Sequence, residues 1–119
     1  MPETPRLSWA AVCARRLDRH GLVAPAQNAQ PADVAAAICG AHAQLLSAAE
    51  LSIGLRLAGG TRADVRAALW TERSLVKTFG PRGTVHLLPT RDLPMWTGAL
   101  SALTPTTSSF PMSYGAKLP

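Results

Sequence analysis

The sequence predicts a mainly α fold with a small antiparallel β-hairpin, laid out as a winged helix-turn-helix with an additional N-terminal helix. Two observations lead there. The stretch Leu75 to Leu88, LVKTFGPRGTVHLL, holds two β-branched runs joined by Gly80-Pro81-Arg82-Gly83, a hairpin with a cation at its tip. It directly follows a helical segment carrying a row of arginines, and a hairpin placed after such a helix is how a winged helix is assembled.

Each element has its own local cause. Ser8 caps a first helix from Trp9 to about His20, and Gly21 is placed to end it in a left-handed conformation. Trp9, Val12, Cys13 and Leu17 share one face of it at helical spacing, with Arg15, Arg16 and Arg19 largely opposite. After a loose linker from Leu22 to Gln30, Pro31 suits a first helical turn and Asp33 complements its dipole, so a second helix covers about Pro31 to Cys39, with Gly40 as its stop. A third helix runs from Ser47 to Leu57, with Ser47 as cap, Glu50 closing the capping box and Gly59-Gly60 as terminator. Thr61 with Asp64 opens a fourth, through Val65, Ala68 and Leu69 to about Glu72. The hairpin comes next. Thr90 then caps a last helix from about Arg91 to Leu103, with Pro94 in its first turn. Residues 1–103 thus make one winged helix domain. The remainder, 104–119, is rich in proline and hydroxyl side chains and reads as a linker or the truncated start of a following domain.

Composition bounds the function. The chain has 119 residues, 47% hydrophobic and 16% charged, with a formal net charge of +5, so it is a folded basic protein whose partner is anionic. Cys13 and Cys39 have no CxxC spacing and read as small apolar core residues in a reducing compartment. His20, His42 and His86 are too scattered to complete a metal site with them, and nothing points to a cofactor. No apolar run reaches the roughly 18 residues of a membrane span, and the N-terminus lacks a signal-peptide layout, which predicts a cytoplasmic protein.

The positive charge is concentrated. Between Arg56 and Arg91 the chain holds Arg56, Arg62, Arg66, Arg73, Lys77, Arg82 and Arg91 against only Asp64 and Glu72, a surplus equal to the whole net charge. Arg62, Arg66 and Arg73 recur at spacings that place them along one side of the fourth helix, where they meet successive phosphates or pair with Asp64 and Glu72. Arg82 on its narrow turn fits a groove. These cations, with Lys77, are the candidate contacts to a nucleic acid backbone, and they carry no sequence specificity. His86 alternates with Val85 and Leu87 on the second hairpin strand, and it either reaches DNA or caps a neighbouring carbonyl. Trp70 and Trp96 read as core anchors rather than base-stacking platforms.

Two stretches carry a family signature: GAHAQLLSAAELSIGLRL from Gly40 to Leu57, and ALWTERSLVKTFGPRGTVHLLPTRDLP from Ala68 to Pro94. Together they resemble the N-terminal domain of the bacterial winged helix DNA-binding family that contains the AlkZ and YcaQ DNA glycosylases, over roughly residues 5 to 103. The hairpin sequence Arg82-Gly83-Thr84-Val85-His86-Leu87 is the most specific part. The resemblance implies double-stranded DNA as partner, hydrolysis of the N-glycosidic bond of alkylated bases, and further C-terminal winged helix domains that this chain lacks. The family's glycosylases position a water with a glutamine, an apolar residue and a glutamine or aspartate. His42-Ala43-Gln44 stands at the matching place, with His where the best-known members have Gln, and the resemblance makes His42 and Gln44 the candidate catalytic pair.

Geometry sets a condition on that pair. Residues two apart point the same way on an extended segment but about 200° apart on a helix, so His42 and Gln44 converge only if the backbone leaves helical conformation after Gly40. If an alanine-rich helix runs through instead, His42 is a polar residue at a packing boundary. A transcriptional regulator and a non-catalytic fragment are the other functions open to such a chain.

Overall fold

A computed structural model describes residues 1–103 of the chain; the segment 104–119, read above as a linker or domain start, lies outside them. Helix α1 (Trp9–Arg19) is followed by α2 (Pro31–Ala37), a two-residue strand β1 (Ala41–His42), α3 (Leu46–Gly54) and α4 (Arg62–Trp70). Strands β2 (Leu75–Phe79) and β3 (Val85–Pro89) form the expected hairpin, and α5 (Leu93–Ala102) closes the described chain. The result is mainly helical with one small antiparallel sheet in the order β1-β3-β2.

Local signals fixed several boundaries. Ser8 Oγ accepts from Ala11 N at 3.1 Å, satisfying one of the free amides of α1. Thr61 and Asp64 form the reciprocal box at α4: Thr61 N donates to Asp64 Oδ2 at 2.8 Å and Asp64 N to Thr61 Oγ1 at 3.3 Å. At the hairpin tip, Arg82 takes φ +56 and Gly83 φ +68, the left-handed pair that a tight reversal of this shape needs.

Other boundaries moved. Helix α3 starts one residue earlier than its expected cap Ser47, with Leu45 in the capping position, and Glu50 has no part in a capping box. Helix α2 ends earlier too: Cys39 N donates to Ala36 O at 3.1 Å and Gly40 N to Ala35 O at 2.7 Å, so the left-handed stop begins at Cys39, at φ +58, and continues through Gly40, at φ +100. Thr90 is not a helix cap; its hydroxyl donates to Arg73 O at 2.6 Å and ties the end of the hairpin to the turn before β2. The stretch from Leu22 to Gln30 is pinned rather than loose, since Ala26 N donates to Arg56 O at 2.8 Å and Ala58 N to Ala26 O at 3.0 Å.

The core joins α2, α3 and α4 to one face of the sheet. It is built from small residues, Ala35, Ala41, Ala43, Ala49 and Ala68, around Ile53, Val65, Leu75 and Leu87. Small side chains let the helices and the sheet approach closely, which is why β3, the central strand, is buried on both faces through Leu87 and Leu88. Several apolar residues expected to pack inward are not in the core. Trp9 is 77% exposed, Leu17 and Trp70 are also exposed, and no residue of α1 is buried among the described residues. Cys13 and Cys39 are exposed as well. Periodicity reveals that a helix has an apolar face, but not whether the same compact unit covers it.

Gly40 is tightly enclosed. It sits at φ +100, and a Cβ there would lie 2.8 Å from Leu88 Cδ2 and 3.2 Å from His86 Cδ2. Gly40→Ala therefore combines backbone strain with overpacking and is expected to destabilise the protein by about 2–4 kcal/mol in urea unfolding. Gly98→Ala, inside α5 with nothing within 4 Å of the new Cβ, is expected to stabilise by about 0.5–1 kcal/mol in the same measurement.

Candidate functional site

The backbone after Gly40 does leave helical conformation. Ala41 and His42 pair with Leu87 and His86 of β3, and Ala43 N continues the ladder by donating to Val85 O at 2.8 Å. Side chains alternate along this extended run: Ala41 and Ala43 are buried, His42 and Gln44 exposed. The backbone after Gly40 is thus non-helical, as the pair requires, with His42 exposed on β1 and Gln44 exposed in the bend that follows it.

His86 supports that face. Its ring lies edge-on to His42, with centroids 5.3 Å apart and planes at 71°. The register explains the contact: His42 and His86 occupy the more closely spaced type of antiparallel pair, between the hydrogen-bonded pairs on either side. His86 is only 9% exposed, and its Nδ1 lies 2.8 Å from Thr84 O. A carbonyl can only accept, so Nδ1 carries a proton. Of the two roles open to His86 from sequence, the bond to a neighbouring carbonyl is the one formed.

The cations of Arg56 to Arg91 fall into three groups. Arg56 is structural: Nε donates to His20 O at 2.7 Å and a terminal nitrogen to Ser52 O at 2.6 Å, which fastens the end of α1 to α3. Arg91 pairs with Asp33 at 3.0 Å. Arg62 and Arg66 both bind Glu50, through Nε at 2.6 Å to Oε2 and 2.7 Å to Oε1. Their expected partners Asp64 and Glu72 are not used, because Asp64 faces its own cap. Arg73, Lys77 and Arg82 make no ion pair among the described residues, and all three are exposed. Arg73 lies beyond the end of α4 at φ +56, so the expected row along one helix is two arginines on α4 and one on the turn after it.

Glu50 is the residue that sequence reasoning misplaced. Its side chain is 2% exposed, between arginines that are 63% and 48% exposed. Burial pushes its carboxyl pKa up, but hydrogen bonds from Arg66 and Arg62, with the charge of both, outweigh that and hold it below the ordinary glutamate value. The signal was in the helical period. Leu46, Ala49, Glu50, Ile53 and Leu57 follow one apolar stripe, and a carboxylate in such a stripe requires cationic partners, here two arginines four apart on the next helix.

Known proteins share this arrangement of elements. A family model described as DNA glycosylase AlkZ-like matches residues 35–109. The chain is 40% identical over 83 residues to an interstrand DNA cross-link repair glycosylase of Streptomyces sahachiroi, a match covering 70% of this chain and 22% of that protein. The solved structure of the Streptomyces sahachiroi DNA glycosylase AlkZ aligns with a TM-score of 0.65 at 34% identity, over 85% of this chain and 30% of that one. The chain thus spans less than a third of the length of the relatives it matches.

Because Glu50 has a depressed pKa in the folded state, its contribution to stability is fully present above the unfolded pKa, near 4.5, and is lost as pH falls through the lower folded value. Unfolding free energy measured from pH 6 down to about pH 2 is expected to decline for the wild type, and the decline is expected to be shallower in Glu50→Gln.

Proposed function

Because the chain belongs to the AlkZ-like DNA glycosylase family, we propose that it forms a winged helix DNA-binding domain, the N-terminal part of an enzyme that hydrolyses the N-glycosidic bond of alkylated bases in double-stranded DNA. The order α2, β1, α3, α4, β2, β3, with the short first strand paired to the last, supports the winged helix reading. In this assignment Arg73, Lys77 and Arg82 contact backbone phosphates directly, joined by Arg62 and Arg66, while His86 serves from behind His42. The C-terminal winged helix domains expected from the resemblance would supply the remainder of the DNA surface. No helix among the described residues is long and apolar enough to cross a membrane, and a DNA enzyme of a bacterium would work in the cytoplasm.

The observation that carries the reading is the departure from helix after Gly40, which leaves His42 on β1 and Gln44 in the following bend both exposed, between buried Ala41 and Ala43 on one side and the start of α3 on the other. Alkylation at a purine ring nitrogen leaves the base cationic and a good leaving group. The enzyme then needs to orient a water toward an oxocarbenium-like sugar, without a strong nucleophile. A ring nitrogen of His42 accepts one proton of that water, and Gln44 Oε1 accepts a hydrogen bond from the other. The water oxygen bonds to the sugar C1′, the C1′–N bond breaks with its electron pair leaving on the base, and the proton passes to the imidazole.

The test is release of an alkylated base from a duplex carrying one N-alkylpurine. Gln44→Ala and His42→Ala are each expected to lower the release rate by about 10²-fold or more, with duplex affinity changed less than about two-fold. Equal release by Gln44→Ala and the wild type removes the motif from the mechanism.

A further inference from the structure

We infer that Glu50 is the positioning residue of a phosphate clamp, in which Arg62 and Arg66 hold one segment of the DNA backbone between them. The inference rests on the DNA-binding reading above and adds to it a buried carboxylate whose charge opposes that of the ligand.

Three observations converge on α3 and α4. First, the stoichiometry exceeds what burial needs. One guanidinium neutralises one carboxylate, yet Glu50 accepts from two, one on each oxygen. The triad retains a unit of positive charge at the surface. Second, each arginine is held by Nε alone, and its two terminal nitrogens have no protein partner among the described residues. Fixing Nε orients the planar fork while leaving its outer donors available, which suits the non-bridging oxygens of a phosphodiester. Third, the neighbouring arginines do not share this pattern. Arg56 spends a terminal nitrogen on Ser52 O and Ser52 Oγ, and Arg91 spends one on Asp33.

Burial divides the labour within the triad. Glu50 is closed off from solvent, while the arginine side chains remain about half or more exposed, so the carboxylate is out of a ligand's reach and the guanidinium groups are within it. Arginine otherwise loses considerable rotamer freedom when it binds a phosphate, and a side chain already held by an internal carboxylate has given up that freedom on folding. Glu50 therefore acts on affinity through order, against the sign of its own charge.

That opposition makes the inference testable with the full 119-residue chain and a random-sequence DNA duplex. Glu50→Gln raises the formal net charge of +5 by one, so simple attraction predicts tighter binding. The clamp predicts weaker binding, by about five-fold or more, with the slope of log affinity against log salt smaller by about one. Arg62→Lys with Arg66→Lys preserves charge and removes the fork, and it is expected to weaken binding by at least about three-fold. Circular dichroism and thermal unfolding fix an assay temperature at which all variants are folded; should Glu50→Gln not fold, the charge-conserving double variant decides. Equal or tighter binding by a folded Glu50→Gln, or unchanged binding by the double lysine variant, overturns the clamp while leaving DNA binding intact. A wild-type chain that binds no duplex overturns both.

Discussion

The pairing of two residues of β1 with the centre of β3 is the constraint on which the rest of the structure depends. To reach β3 the chain must leave α2 abruptly, and it does so through two consecutive left-handed residues, Cys39 and Gly40. Only a glycine fits the second of them, against Leu88 and His86. Once paired, Ala41 and Ala43 close the core under the sheet, and alternation leaves His42 and Gln44 outside. One backbone path thus builds the core and exposes the polar pair. A change that lengthened α2 by a turn would remove both together.

A second constraint joins α3 to α4. Burying a carboxylate is unfavourable unless its oxygens are hydrogen-bonded, and Glu50 meets that condition on both sides. With a core made largely of alanine, there is little apolar volume to hold the two helices in register, and a directional ion pair supplies what bulk packing does not. Arg56 does similar work at the other end of α3, where it binds the carbonyls of His20 and Ser52.

What the sequence revealed follows the range of the forces involved. Ser8, Thr61 and Asp64 act on amides within one turn, so their capping could be read locally. The hairpin is also local, its turn residues lying between two β-branched runs. The polar pair was legible as a condition on the backbone, and β1 meets that condition, although a two-residue strand is too short to give a period of its own. Glu50 was misread because Ser47 and Glu50 have the spacing of a capping box, while the arginines that claim the carboxylate lie 12 and 16 residues further on. Trp9, Cys13 and Trp70 failed for the opposite reason: apolar character sets a preference for burial, but only the tertiary arrangement decides whether a surface is there to receive them.

The strand register has one more consequence for the polar pair. In an antiparallel ladder, hydrogen-bonded and non-hydrogen-bonded pairs alternate, and the bond from Ala43 N to Val85 O places His42 between two bonded positions. The backbone N–H and C=O of His42 therefore point away from β3, toward the open edge of the sheet, because β1 is an outer strand. Its side chain meanwhile is held against His86 on the face. In the proposed site, edge and face come together at this one residue: a water beside His42 would meet a ring nitrogen and a backbone donor of the same residue, with the amide of Gln44 two residues along. An edge strand ordinarily leaves such donors to solvent. In the proposed function these donors belong to the site, and the two-residue length of β1 is what makes it hard to find in the sequence.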